Sequence, residues 1–233
     1  MFKEVTRGSV HCLCIWVCLT VLPAWAGPEI IDRPIVYDAE RATLMRAYLV
    51  AHNNPSQPAD PMVASTMAPR MVVIHWTAVQ SLEGSFNAFN RVRIRSSRSI
   101  SAAGAVNVSA HFLIDRGGTI YRLMEETRMG RHTIGLNHVA IGVENVGDGD
   151  KWPLTEAQFQ ANVALIRALV GRHPITHLIG HHEYRRMEGH PYFKELDPRY
   201  RTRKSDPGDR FMSRVRESVA DLGLKGPPEG ERK

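Results

Sequence analysis

Met71-Val72-Val73-Ile74-His75, Val139-Ala140-Ile141-Gly142-Val143-Glu144 and Ile175-Thr176-His177-Leu178-Ile179-Gly180-His181 share one design: a short apolar run that stops at a side chain able to do chemistry. Continuous rather than alternating apolar residues over four or five positions are the pattern of strands buried on both faces, as in a parallel sheet covered by helices. Between the second and third runs lies the clearest helix of the chain. Thr155 and Gln158 form a capping box, Phe159, Val163, Ile166 and Val170 recur at helical spacing, and Gly171 is expected to close it. Ser109 to Ile114 and Thr119 to Met124 predict a hairpin that turns through Asp115-Arg116-Gly117-Gly118. Buried strands, a hairpin and intervening helices together predict an α/β fold: one domain with a central mixed β-sheet flanked by helices.

Outward from this core, the chain divides into four stretches. Residues 1–26 read as a signal peptide: Lys3 and Arg7 give a positive start, Cys12 to Leu22 is mostly apolar, and Ala24-Trp25-Ala26 is a small-x-small cleavage site. The apolar run is about half of the roughly 20 residues a membrane-spanning helix needs, so export to the periplasm or beyond is expected, with no stable membrane anchor after cleavage. Residues 27–69 form an N-terminal helix and linker, with an extended lead-in from Gly27 to Pro34, a helix over Ala39 to His52 capped by Asp38, and a loop from Asn53 to Pro69. Residues 70–222 carry the main domain, and 223–233, rich in Gly, Pro and charge, are expected to be loose.

All three cysteines (Cys12, Cys14 and Cys18) lie in the expected leader, so after cleavage no thiol remains as nucleophile or metal ligand. Any metal site must use histidine and carboxylate. The net charge of +6 suits an anionic partner such as cell-wall polymer, nucleic acid or a membrane surface. Arg91, Arg93, Arg95 and Arg98, which follow a short helix containing Phe86 and Phe89, read as a solvated loop or as contacts for wall carboxylates. No aromatic-interleaved platform accompanies them, so nucleic acid is not an expected partner.

Sites in open α/β sheets form beyond the carboxyl ends of strands, where His75, Glu144 and His181 fall. Asp206 sits in Lys204-Ser205-Asp206-Pro207-Gly208, a turn-forming stretch that holds a side chain in place. Catalytic zinc takes three protein ligands from His, Asp or Glu and keeps one position open for water. His75, His181 and Asp206 meet that count, which leaves Glu144 as general base and Lys204 to stabilise an oxyanion.

The ordered series Val-Ile-His75-Trp-Thr, Ser-Ala-His111-Phe-Leu-Ile, Ile-Gly-Val-Glu144, Ile-Gly-His181 and Lys204-Ser-Asp206-Pro-Gly resembles the type-2 N-acetylmuramoyl-L-alanine amidases, relatives of phage lysozyme-type amidases and of animal peptidoglycan recognition proteins. The likeness covers about Met71 to Phe211. It implies a mixed sheet flanked by helices and a Zn2+ cofactor on His75, His181 and Asp206. It also implies Glu144 as acid/base, Lys204 near the scissile carbonyl, and a peptidoglycan or muropeptide substrate. By the same likeness His132 and Asn137 line the substrate groove. His111, in the hairpin, is a further candidate contact that could equally pack. Two features depart from the family pattern. Arg185 to Arg203 lengthens the stretch before Asp206, reads as either a basic rim beside the zinc or a solvated loop, and leaves Asp197, Asp209 or His190 as substitutes for the third ligand. His182 directly follows His181, but strand alternation turns it away from the metal.

Overall fold

The computed structural model describes residues 27–95 and 98–229, so the expected leader at 1–26 and the end of the tail lie outside the described residues. The elements in chain order are β1 (Ile30–Asp32), α1 (Ala39–His52), α2 (Pro61–Ala64), β2 (Met71–Trp76), α3 (Leu82–Asn90), α4 (Arg98–Ser101), β3 (Phe112–Ile114), β4 (Ile120–Arg122), β5 (Ala140–Asn145), α5 (Glu156–Arg172), β6 (His177–Gly180) and α6 (Asp209–Ser218), with a 3-10 helix at His181–Met187 and another at Ala220–Leu222.

The strands form one mixed sheet in the order β1-β4-β3-β5-β2-β6. β2 lies between β5 and β6 and runs parallel to both, and β3 runs parallel to β5. The predicted hairpin is the antiparallel β3–β4 pair, closed by Asp115 and Gly118. Two of the three apolar runs, β2 and β5, thus occupy the interior of the sheet, and the third, β6, lies at its edge with its side chains still buried.

Alternation along the strands sorts the two faces. Val72, Ile74, Ile141, Val143 and Leu178 pack with Phe159, Leu165, Ile166 and Leu169 of α5 and with Met212 and Val215 of α6. Met71, Val73, Ala140 and Ile179 point the other way, onto Ile134, Leu136, Tyr184 and Met187. His75 continues the Met71–Val73 face. The chemistry therefore emerges on the side covered by loops, opposite the mainly apolar side under α5 and α6, where the buried Asn145 and Asn162 bond each other.

The capping box at Thr155 and Gln158 is present, but α5 runs through Gly171 to Arg172 and is capped at His173. Gly171 does not end the helix because its neighbours keep their intrahelical bonds, including His173 N–H to Leu169 C=O. Three further elements depart from expectation. The lead-in contributes β1, paired parallel to β4, and the Asn53 to Pro69 loop contains the single turn α2, capped by Asp60. A helix, α6, follows the Asp-Pro-Gly turn. The tail also begins later than its composition suggests: Lys225 exchanges backbone hydrogen bonds with Thr176 and Leu178 at the edge of β6. Among the described residues no helix is long and apolar enough to cross a membrane.

Candidate metal centre

Register brings the key side chains together. His75 of β2 sits opposite Glu144 of β5, and Ile74 sits opposite Gly180 of β6, so His181 follows one step on beside His75. Residues level with one another in parallel strands project to the same face, and here all three reach the same cleft. Asp206 enters from the loop before α6, held by its own backbone: its carbonyl accepts from the His182 amide at 2.8 Å and lies 3.0 Å from His182 Nδ1. The second His182 nitrogen meets Asp209. His182 thus faces away from the centre, as alternation predicts, and the pair also ties Asp209 elsewhere.

The ligand atoms form a tight triangle. His75 Nδ1 lies 2.9 Å from His181 Nδ1, His181 Nδ1 lies 3.0 Å from Asp206 Oδ2, and His75 Nδ1 lies 3.3 Å from the same oxygen. Tetrahedral zinc with bonds of about 2.0–2.1 Å sets its ligand atoms roughly 3.3 Å apart, so two imidazoles and a carboxylate at these separations suit the ion. Among the described residues this trio is the one group of three such side chains able to share a metal. The substitutes are placed elsewhere: His190 meets His177 edge to face at the far end of β6, and Asp197 accepts from the Arg199 amide. All three members of the trio are buried.

Electrostatics separates the two acids. Burial opposes ionisation of Asp206, yet His181 and His75 hold its carboxyl far below the usual range. Glu144 is pushed well above its ordinary value, first by burial and then by the Asp206 carboxylate, with Lys204 pulling the other way. Its Oε1 is 4.0 Å from His75 Nδ1, and its buried Oε2 has no protein partner. A carboxylate with a raised pKa and an unpaired oxygen beside a metal triangle is suited to taking and returning a proton. Burial, followed by the neighbouring His75, lowers His181 to about 4, so its imidazole is neutral and free to ligate at ordinary pH.

These groups open into a cleft of about 350 Å³, whose walls include Trp76, Phe89, Arg131, Arg203 and Lys204. Past His132 and Lys204 it continues into a smaller recess bounded by Tyr48, Asn137 and Tyr200. Trp76 and Arg131 were not singled out from sequence, although each directly follows or precedes a residue that was. Arg131 braces the wall by donating to the carbonyls of Ile100, Gly104 and Val106 and to the Tyr200 hydroxyl.

Three expected substrate contacts sit differently. His111 is wholly buried, with Nε2 on the Arg128 carbonyl and Nδ1 accepting from the Gly142 amide, so it packs and does not face the cleft. Asn137 borders the recess, but its Oδ1 accepts from the amides of His132 and Thr133 and its Nδ2 donates to Tyr48. It shapes the loop from inside. His132 lines the cleft, yet both ring nitrogens engage protein groups, Nε2 meeting the Ala140 carbonyl and Nδ1 meeting His75.

The long segment before Lys204 folds back over α1. Glu195 bonds His52, the Leu196 amide donates to the His52 carbonyl, and Tyr192, Phe193 and Tyr200 pack on the loop-covered face of the sheet. Most of its arginines meet acids: Arg185 bonds Glu188, Arg201 pairs with the same carboxylate at 3.2 Å, Arg186 lies near Glu183, and Arg199 meets Asp197. Arg203 is the member of this segment that, with Lys204, borders the cleft. The first arginine group is likewise partly tied, with Arg93 on Glu40.

Comparison with known proteins bears on the fold and the family. Mouse peptidoglycan recognition protein 3 is 30% identical over 107 residues, which is 46% of this chain and 31% of that protein, so the chain spans about a third of its relative's length. The fold is that of the N-acetylmuramoyl-L-alanine amidase LysC from Clostridium intestinale (TM-score 0.51, 22% identity, 85% of this chain and 99% of that one). Bumblebee PGRP-SA shares it as well (TM-score 0.50, 19% identity, 87% and 99%). The sequence profile of the N-acetylmuramoyl-L-alanine amidases matches residues 65–209, and the chain belongs to that family.

Proposed function

We propose that this protein is a zinc-dependent hydrolase that cuts the amide between N-acetylmuramic acid and L-alanine in peptidoglycan or muropeptides. The observation that carries this reading is the triangle of His75, His181 and Asp206 with the unpartnered oxygen of Glu144 beside it. A zinc ion held by the three would acidify water and polarise the scissile carbonyl. Glu144, its pKa raised by burial and by Asp206, accepts the proton of the attacking water and returns it to the departing amine of L-alanine. Lys204, bordering the same cleft, supplies positive charge where the carbonyl oxygen becomes anionic. Arg131 and Arg203 add to a basic wall suited to an anionic polymer. The proposed place of action is outside the cytoplasm, from the leader-like residues 1–26.

Likeness to peptidoglycan recognition protein 3 favours a second reading, a module that binds muropeptide without cutting it. Metal analysis together with mass spectrometry of a muropeptide digest separates the two. Stoichiometric zinc with free lactyl-sugar and intact stem peptides is the expected result. Zinc with uncut substrate would favour the binder, and fragments cut inside the stem peptide would point to a peptidase.

A further inference from the structure

We infer that His132 is a positioning residue for His75: it accepts the Nε2 proton of His75 and thereby holds the Nδ1 lone pair of His75 toward the metal position. This rests on the reading of His75 as a zinc ligand and goes beyond it by assigning what stands behind that ligand.

A line of hydrogen bonds leads from the Ala140 carbonyl through His132 to His75. His132 Nε2 lies 3.0 Å from the Ala140 carbonyl, an oxygen that only accepts, so Nε2 carries the proton. His132 Nδ1 then faces His75 Nε2 at 3.1 Å. Two imidazole nitrogens in contact share one proton, and with Nδ1 of His132 accepting, His75 is protonated on Nε2. The remaining lone pair of His75, on Nδ1, is the one aimed at His181 and Asp206. The Thr133 hydroxyl lies 2.9 Å from His132 Nδ1 and 3.4 Å from His75 Nε2, so it supports the same junction.

The surroundings keep this line in place. The rings of His75 and His132 meet edge to face at 5.2 Å between centroids, and those of His132 and His111 at 5.8 Å, both at 85°. The His132 ring lies directly on the backbone of β5 at Gly142, where a Cβ would come within 2.8 Å of Cγ and 2.9 Å of Nδ1. Gly142 is therefore the space that admits the ring. Histidine ligands of metals commonly donate their second N–H to an acceptor that sets tautomer and orientation. Here that acceptor is a neutral imidazole anchored to a backbone carbonyl. A carboxylate acceptor would add negative charge next to the centre; the imidazole leaves the charge of the ligand set to Asp206 alone.

The test is zinc affinity of the purified protein, read by competition with a chromogenic chelator. His132→Leu removes the acceptor and is expected to weaken zinc binding about 10–100-fold. His132→Gln, whose oxygen can accept from His75 while its amide donates to Ala140, is expected to recover most of that loss. Equal affinity of the Leu variant and the parent would overturn the assignment, as would a Gln variant no better than Leu. Long-range 1H–15N spectra of the unsubstituted protein provide a check that needs no variant: His75 and His132 should both appear as Nε2–H tautomers, and a proton on His132 Nδ1 refutes the line. If the parent itself takes up no zinc, the metal-centre reading fails first and this inference falls with it. Zinc bound equally with and without His132 removes this inference alone.

Discussion

Each end of the parallel core carries a pair of histidines in ring contact, and the two pairs behave differently. At the carboxyl end His75 and His181 lie 4.3 Å apart between centroids; at the amino end of β6 His177 and His190 lie 4.9 Å apart. The first pair meets Asp206 at 3.0 and 3.3 Å and has Glu144 alongside. In the second, His177 Nδ1 contacts the Thr176 hydroxyl, His190 Nδ1 accepts from the Tyr192 amide, and the charge that bears on His177 from outside the pair is Lys225. Proximity of imidazoles is thus not what sets the proposed metal centre apart. A buried carboxylate that offsets the cation's charge, and loops that leave the sheet at its carboxyl end to deliver that carboxylate, supply the difference.

The sharpest way to break this contrast is to remove the carboxylate. Asp206→Ala leaves two imidazoles and no carboxylate ligand, the same inventory as the far end, and should lower zinc affinity by more than the 10–100-fold typical of outer-shell changes, abolishing hydrolysis with it. Retention of zinc at parental affinity in a chelator titration would show that Asp206 is not a ligand. Glu144→Gln is the next largest effect. It keeps the triangle intact, so zinc stoichiometry should be unchanged while turnover falls about 10²–10⁴-fold. A Gln variant that digests muropeptide at the parental rate would strip Glu144 of the acid/base role.

The contrast also marks how far the chain could be read without coordinates. The strands β2, β5 and β6 announced themselves because residues buried on both faces leave an unbroken apolar run. That made His75, Glu144 and His181 legible as neighbours. Helix α6 was hidden for the opposite reason. Its inward residues Met212 and Val215, with Val219 just beyond, are scattered among Asp209, Arg210, Arg214, Arg216 and Glu217, and it starts on a glycine that reads as a turn. The three-residue β1 escaped notice because an edge strand with mostly exposed side chains has little hydrophobic signature. His111 and His132 could not be sorted by sequence at all. Both are histidines outside the three apolar runs, and only the packing around Gly142 shows that His111 bonds backbone groups while His132 reaches His75.

His111 sharpens the contrast from a third direction, because it is as buried as the first pair yet bonds only backbone groups. Burial lowers it to about 4 from an ordinary 6.5. The unfolded chain takes up this proton near 6.5 and the folded chain only near 4, so between those values the unfolded state binds more protons. Stability is therefore full above 6.5 and falls as the pH drops through that window, by up to about 3 kcal/mol from this one group. His111→Gln, whose amide can donate to Arg128 and accept from Gly142, should flatten the acid slope of denaturant midpoints measured from pH 7 to 4. An unchanged slope would mean that His111 does not supply it.

The smallest effect expected is at the far pair. His190→Ala removes a ring that touches His177 and Tyr192 on a partly exposed edge, and among the described residues no acid joins this pair to share an ion. Loss of that contact should lower stability by no more than about 1 kcal/mol, the ordinary scale for such positions. Zinc stoichiometry and muropeptide turnover should match the parent within twofold. The informative failure is stoichiometric: if the parent takes up two equivalents of zinc and His190→Ala only one, the amino-end pair binds metal without a carboxylate. Charge compensation would then cease to be what separates the two ends of the sheet.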